Sequence, residues 1–213
     1  MTIERIVKRS DESASVFFDD QGEMILSYEV IFKNGLRKGD AVSESLFYQL
    51  KNENEKYFIK KKALNLIAKR VHSSRELQIK LLQKRFSKKL IDEVIQNLIS
   101  NKIINDEAFA GIFVEEKSRT KHWGSSKLKG ELIKRGIKND VIEIVLHSAL
   151  HDDSEQIKKL AEKKVNILRK RNYTDQQLKQ KLFSFLLSKG FEIDLIKKNI
   201  RNLFSGNSEE LID

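Results

Sequence analysis

The 213-residue chain contains no cysteine and no proline, and its nine glycines stand singly. The absence of cysteine excludes a disulfide framework and any thiolate metal site. The absence of proline removes the commonest helix breaker, and scattered glycines exclude a glycine-rich phosphate loop. The first residues lack the apolar segment of a signal peptide, and no apolar run approaches membrane-spanning length. We therefore expect a cytoplasmic, helix-rich protein with no membrane contact.

Positive charge is concentrated in one part of the chain, whose net charge is +10. Residues 1–60 carry nine basic and eleven acidic groups, whereas residues 61–205 carry 32 basic and 17 acidic groups. Residues 206–213 add three acidic groups and no basic one. An excess of this kind attracts polyanions, with an affinity that falls as salt rises. The alternative interpretation is a solvated, lysine-rich helical surface.

One stretch of the sequence, residues 73–99, recurs twice further along the chain. The first leucines of the three copies are Leu77, Leu128 and Leu178, so the period is 51 and then 50 residues. The third copy has four extra residues in its first half. Four residues are close to one helical turn, so they lengthen the helix without rotating its buried face much. A period of this size indicates an array of small packed units.

The predicted fold is mainly α: an elongated array of three tandem three-helix repeats after a small N-terminal α+β head. The turn signal at residues 20–22 lies between apolar runs and predicts a three-stranded β-meander, with a short helix over 28–33. A further helix starts after Ser43, and residues 56–71 are predicted as the first repeat helix. The predicted boundaries are 1–55 for the head, 56–104, 105–151 and 152–205 for the repeats, and 206–213 for a flexible acidic tail.

Capping residues predict where the repeat helices begin and end. Ser73 precedes Glu76 in a Ser-x-x-Glu capping box. Further N-caps are expected at Ser87, Asn105, Ser125 or Ser126, and Thr174. Gly136 and Gly190 are predicted to end the second helices of the last two repeats.

No arrangement of side chains in the sequence indicates catalysis. His147 and His151 are four residues apart with Asp152 nearby, but no third ligand stands at a defined spacing. The Asp152-Asp153 pair fits a helix start better than a metal centre. We therefore predict no catalytic residue, no metal and no cofactor. The enzymatic alternative is a metal-dependent nuclease built on the acidic pairs.

Basic residues recur on the second helix of each repeat and in the loop before it, so stacked repeats should place them along one side. We call the eighteen residues that follow the basic stripe. It comprises Lys69, Arg70, Lys80, Lys84 and Arg85; Arg119, Lys121, Trp123, Lys127, Lys129, Lys134 and Arg135; and Arg169, Lys170, Arg171, Lys179, Lys181 and Lys189. The single tryptophan, Trp123, either stacks on a base or on a protein partner, or packs between repeats.

Several short motifs, in this order and spacing, resemble the RecX family of bacterial regulators of the RecA recombinase. The resemblance covers residues 60–205, and the β-rich head is similar to the extension of RecX proteins from Gram-positive bacteria. The motifs are Ser73-x-x-Glu76-Leu77 with Lys80-Leu81, Asn105 to Ala110, Trp123 to Leu128, Glu131-Leu132 with Arg135-Gly136-Ile137, Lys181-Leu182 with Phe185-Leu186, and Lys189-Gly190-Phe191.

The resemblance implies a non-enzymatic monomer that lies along the helical groove of a RecA–DNA filament. There it would inhibit ATP hydrolysis and strand exchange, promote disassembly, and so act in recombination, DNA repair and the SOS response. Its implied partners are the RecA filament and single- and double-stranded DNA. Because three-helix units with a basic helix also resemble helix-turn-helix modules, the alternative is a helical-repeat protein that binds duplex DNA directly without RecA.

Overall fold

The computed structural model describes residues 1–149 and 153–205 and divides into two compact units, 1–104 and 105–213. The described residues form three strands and ten helices. His151, Asp152 and the acidic tail lie outside the described residues, so the predictions made for them are not addressed. In the described part of the chain, no helix combines the length and the apolar character needed to cross a membrane.

The N-terminal head is the predicted meander followed by the predicted short helix. Strands β1 (Ile3–Lys8), β2 (Ser13–Phe18) and β3 (Gly22–Ser27) pair antiparallel in the order β1-β2-β3. Helix α1 (Tyr28–Lys33) begins at Ser27, whose hydroxyl accepts a hydrogen bond from the backbone N–H of Val30. The apolar face of the sheet is buried against α1 and the next helix, which creates a small separate core.

A single helix, α2 (Glu44–Ile67), runs through two stretches that the sequence suggested as separate helices. Its first half adds Leu50 to the core of the head, and its second half adds Ile59 and Ala63 to the core of the first three-helix domain. The head and the first domain are therefore joined by a continuous helix and share one compact unit.

The first three-helix domain consists of the second half of α2 with α3 (Ser74–Leu82) and α4 (Lys88–Ser100). The Ser73 hydroxyl accepts from the Glu76 N–H at 3.1 Å, which confirms the predicted cap of α3. The prediction that the Ser87 side chain caps α4 was wrong. Ser87 occupies the N-cap position, but its side chain makes no capping bond, and its own N–H donates to the Glu55 carboxylate of α2 at 2.6 Å.

The second and third domains have the same three-helix plan. The second consists of α5 (Asp106–Lys121), α6 (Ser125–Lys134) and α7 (Asn139–Ala149). The third consists of α8 (Asp153–Arg169), α9 (Asp175–Lys189) and α10 (Ile193–Ser205). The leucine stripes of α6 and α9 are buried in two separate cores, and α9 contains the four extra residues of the third copy.

The second helix of every domain is followed, within three residues of its end, by a residue with left-handed backbone conformation. These residues are Arg85 (φ 65°), Gly136 (φ 77°) and Gly190 (φ 86°), and each is followed directly by an apolar residue. A left-handed residue lets the chain reverse and satisfies the last carbonyls of the helix, and glycine adopts it without steric strain. Only the first domain places a residue with a side chain at this position.

Within the second unit, the start of α6 packs directly on the end of α9. The N–H of Gly124 donates to the carbonyl of Lys189 at 2.9 Å, and the N–H of Ser126 donates to the carbonyl of Gly190 at 3.2 Å. Gly124 is the N-cap residue, so the prediction of Ser125 or Ser126 as the cap was wrong. The free amide groups of one helix satisfy the free carbonyls of the other, which also brings opposite ends of two helix dipoles together.

Candidate nucleic-acid interface

The four cations that the basic stripe takes from α6 and its C-terminus are already engaged inside the second unit. Lys129 pairs with Glu143 at 2.5 Å, and Lys134 pairs with Glu131 at 2.9 Å. Arg135 also pairs with Glu131, at 2.6 Å, and the Lys127 ammonium donates to the carbonyl of Ser188 at 2.8 Å. Hydrogen bonds from Lys134 and then Arg135 hold the pKa of the Glu131 carboxyl below its usual value. These cations therefore have structural partners in addition to any binding role.

Trp123 lies half-buried at the margin of the second core. Its ring is 6.3 Å from the ring of Phe113, between centroids, and the Lys127 ammonium lies 5.0 Å over it. These ring contacts lie within the second domain and not between repeats, so Trp123 packs against an aromatic ring and a cation of its own domain.

Lys189 closes the junction between α6 and α9 rather than extending into solvent. Its ammonium donates to the carbonyl of Lys121 at 2.7 Å and is half-buried there. Burial, followed by repulsion from Lys127 and Lys121, lowers the pKa of Lys189 from its ordinary value. The structure thus brings Lys121, Trp123, Lys127 and Lys189 of the basic stripe together at one junction.

In the first domain, two stripe residues surround a buried histidine. The Nδ1 atom of His72 is 2.8 Å from the carbonyl of Arg70, and its Nε2 atom is 3.0 Å from the Lys80 ammonium. Nδ1 must carry the proton for the first contact, and Nε2 must be unprotonated for the second. Burial lowers the pKa of His72, so the imidazole is neutral. Arg70 also pairs with Glu76 at 3.0 Å.

The remaining stripe cations are exposed and form no ion pair with the described residues. They are Lys69, Lys84, Arg85, Arg119, Lys121, Arg169, Lys170, Arg171, Lys179 and Lys181. Eight of them lie at the ends of first helices or in turns, and two, Lys179 and Lys181, lie on the second helix α9. Two of them lie over aromatic rings: Lys179 is 5.1 Å from the Phe204 centroid, and Lys181 is 4.6 Å from the Tyr173 centroid.

A groove of about 650 Å³ between α8 and α9 collects cations of the third domain. Arg171 and Lys181 line it together with Lys164, and the rings of Tyr173 and Phe185 form part of its wall. No acidic residue contributes to the lining. Cations beside aromatic rings are the side chains that hold the phosphates and bases of a nucleic acid strand.

No catalytic or metal site emerges from the described residues. Within residues 1–149 and 153–205, no three histidine, aspartate or glutamate side chains are grouped so that they could hold a metal ion. His147 is described and exposed, whereas its proposed companion His151 is not among the described residues.

Comparison with known protein families identifies all three helical domains. Models of the first, second and third three-helix domains of RecX match residues 60–98, 105–146 and 151–200, in this order. The chain belongs to the RecX family. The resemblance seen in the sequence motifs is thereby confirmed.

Curated relatives and solved structures agree with this assignment. Regulatory protein RecX of Clostridium perfringens (strain 13 / Type A) is 31% identical over 199 residues, which is 93% of each chain. Regulatory protein RecX of Caldanaerobacter subterraneus subsp. tengcongensis is 31% identical over 201 residues, covering 93% of this chain and 98% of the relative. A crystal structure of RecX from Lactobacillus salivarius superposes with a TM-score of 0.62 at 28% identity, covering 71% and 97% of the two chains. A second, titled as regulatory protein RecX, shares the fold at a TM-score of 0.74 and 20% identity over 94% and 98%.

Sequence reasoning missed several cationic and aromatic residues of this RecX chain because it considered only the second helices and the loops before them. Lys164 lines the third-domain groove and lies on a first helix, α8. Lys51 and Phe58 lie on α2, which the sequence analysis divided at residue 55. The cations on the first helices are visible in the sequence. They would have been included if the first and second helices of each repeat had been considered together, because two packed helices form one surface.

Proposed function

We propose that this member of the RecX family regulates RecA by binding along the RecA–DNA filament, where it suppresses ATP hydrolysis and strand exchange. Family membership supports a regulatory role. Binding along the filament is supported by the exposed cations that form no ion pair in the described parts of the three domains. Unpaired cations attract a polyanionic surface without first having to break an internal ion pair.

Several weak contacts spread over three domains give affinity through multivalency instead of one deep pocket. This mode requires no catalytic group, and we propose that the protein acts as a non-enzymatic, cytoplasmic monomer. DNA that stays intact in the presence of the protein and Mg²⁺ or Mn²⁺ is the expected result; cleavage would contradict the non-enzymatic part of the proposal.

The decisive measurement is the ATPase activity of RecA on single-stranded DNA with increasing amounts of the protein. We expect hydrolysis to fall until the filament is saturated. An unchanged ATPase at saturating protein would reject RecA inhibition. Titration of free duplex DNA, free single strand and preformed filament then separates the two modes, since tight duplex binding without RecA is what the direct DNA-binding alternative requires.

The structure selects the variants for this assay. Replacing Lys170 and Arg171 with glutamine removes two exposed cations that form no ion pair with the described residues, and we expect inhibition to need a higher protein concentration. The matched control is Lys129→Gln with Lys134→Gln, whose charges already pair with Glu143 and Glu131. Equal weakening by both sets would show that net charge alone, and not the unpaired cations, determines binding.

A further inference from the structure

A groove of about 670 Å³ lies in the first unit, between strand β3, helix α2 and the turn that joins α3 to α4. The sheet edge forms one wall, and the rings of Phe58 and Phe86 contribute to the lining. Five cations and one carboxylate, Glu55, also line this groove. Lys61 pairs with Glu12, and the other four cations, which are Lys51, Lys62, Lys84 and Arg85, are exposed.

These four cations form no ion pair with the described residues. Nearby acids are already engaged, since Glu55 accepts from the Ser87 N–H and Glu12 pairs with Lys61. Of the four, only Lys51 lies in residues 1–60, which have two more acidic than basic groups, whereas Lys62, Lys84 and Arg85 lie in the basic part of the chain. The fold brings Lys51 and Lys62 of α2 beside Lys84 and Arg85 of the turn after α3, although these two pairs are separated in the sequence.

Arg85 occupies a strained backbone position in this groove. Its φ of 65° is the left-handed conformation that Gly136 and Gly190 adopt at the same place in the other two domains. Glycine would fit here without strain, so the arginine side chain is retained against a local conformational preference. Strained residues concentrate at binding sites, where the rest of the structure holds them in place.

We propose that this groove binds a single strand of nucleic acid. Lys51, Lys62, Lys84 and Arg85 hold successive phosphates, and unpaired bases contact the rings of Phe58 and Phe86. Both rings are half-buried, so bases that are already paired and stacked in a duplex do not reach them. Lys84 and Arg85 also belong to the basic stripe of the proposed function, whereas Lys51 and Lys62 do not. Helix α2 and the head sheet build most of the site, and binding there requires no RecA.

The test is the fluorescence anisotropy of a fluorescein-labelled oligothymidylate, titrated with the full chain over a salt series without RecA. Each lost phosphate contact on a single strand reduces the log–log salt slope by about 0.7, which is about 5-fold in affinity at roughly 0.1 M salt. Lys51→Gln with Lys62→Gln should therefore weaken binding about 25-fold and reduce the slope by about 1.4. The matched control, Arg37→Gln with Lys38→Gln, removes two exposed cations of the head outside the groove. Equal losses in both double variants would overturn the proposal.

Arg85→Gly gives a test in which stability and binding change in opposite directions. Glycine relieves the left-handed strain, so we expect Tm to rise by about 2 °C. Affinity for the oligothymidylate should fall about 5-fold with a slope smaller by about 0.7. A variant that binds as tightly as the native chain would overturn the role of Arg85, and the rise in Tm excludes misfolding as the cause of weaker binding.

Phe58→Leu separates base contacts from phosphate contacts. It keeps an apolar side chain and removes no charge, so affinity should fall while the salt slope stays constant. Unchanged affinity would overturn base contact in the groove. A poly-glutamate peptide serves as the competing probe. If the groove variants lose the peptide but keep the oligothymidylate, the occupant is an acidic protein segment and the nucleic-acid assignment is wrong.

Discussion

The junction between α6 and α9 yields a quantitative prediction for Gly190→Ala. A Cβ atom on Gly190 would lie 2.3 Å from the Cβ and 2.6 Å from the backbone N of Lys127. Atoms that are not bonded to each other do not approach this closely, so the start of α6 has to move away from the end of α9. That movement breaks the bonds from Gly124 N–H to the Lys189 carbonyl and from Ser126 N–H to the Gly190 carbonyl.

The expected loss of stability has two parts. The left-handed backbone at φ 86° adds about 1–2 kcal/mol of strain for any residue with a side chain. Two lost hydrogen bonds add about 0.5–1.5 kcal/mol each. Together these give a decrease in the free energy of unfolding of roughly 2–5 kcal/mol for the second unit.

Trp123 makes this prediction measurable in the full chain. It is the only tryptophan and it is adjacent to Gly124, so its fluorescence during urea denaturation follows the unit that contains the junction. The two compact units need not unfold together, and a probe confined to one of them avoids averaging over both.

Gly35→Ala is the matched control for backbone strain alone. Its φ is 62°, and no atom lies within 4 Å of where its Cβ would stand. We expect a decrease of about 1–2 kcal/mol, measured by circular dichroism because Gly35 is in the first unit. If Gly190→Ala decreases stability no more than Gly35→Ala, the close packing of the two helix ends is not what the structure indicates and the reasoning fails.

Three further predictions concern other parts of the fold. Asn54→Ala should lower the unfolding free energy in urea by about 1–3 kcal/mol, because it leaves the Ser27 N–H and the Ile25 carbonyl without the partners they have at 2.8 Å; an unaffected midpoint would contradict this. Burial lowers the pKa of His72 below its ordinary 6.5, so the unfolded chain takes up the proton first as pH falls. Stability should therefore decrease as pH drops below about 6.5, less steeply in His72→Gln, and parallel pH profiles would refute it. Gly130→Ala, in the interior of α6 with open space around its Cβ position, should raise stability by roughly 0.5–1 kcal/mol in thermal denaturation, and a lower Tm would contradict it.

Helix starts show where local sequence is sufficient and where it is not. Ser73 and Thr174 were predicted as caps and act as caps, because each hydroxyl needs only the N–H three residues further along the same chain. Ser125 and Ser126 were predicted on the same grounds, but the amide groups at the start of α6 are used by carbonyls of α9. That partner is more than sixty residues away in sequence, so no local pattern reveals it.

The continuity of α2 was missed for the opposite reason. Residues 44–67 contain neither proline nor glycine, and nothing in the local sequence interrupts a helix there. The stretch was predicted as two helices, whereas one helix places Leu50 in the head core and Ile59 in the core of the first domain. A change of packing partner does not require a break in the backbone, since a helix exposes different faces along its length.

The amino-acid sequence alone determined the repeat, its period, the buried leucines and the family, because all of these depend on residue type and spacing. Only the tertiary structure decided which cations are free to bind a partner and which are paired within the fold. Lys129 and Arg135 pair with acids of their own domain, whereas Lys51, Lys62 and Arg85 meet at a groove formed by β3, α2 and the turn between α3 and α4. Whether a charge is free depends on distances between side chains that lie far apart in the chain, and only the folded arrangement of helices sets those distances.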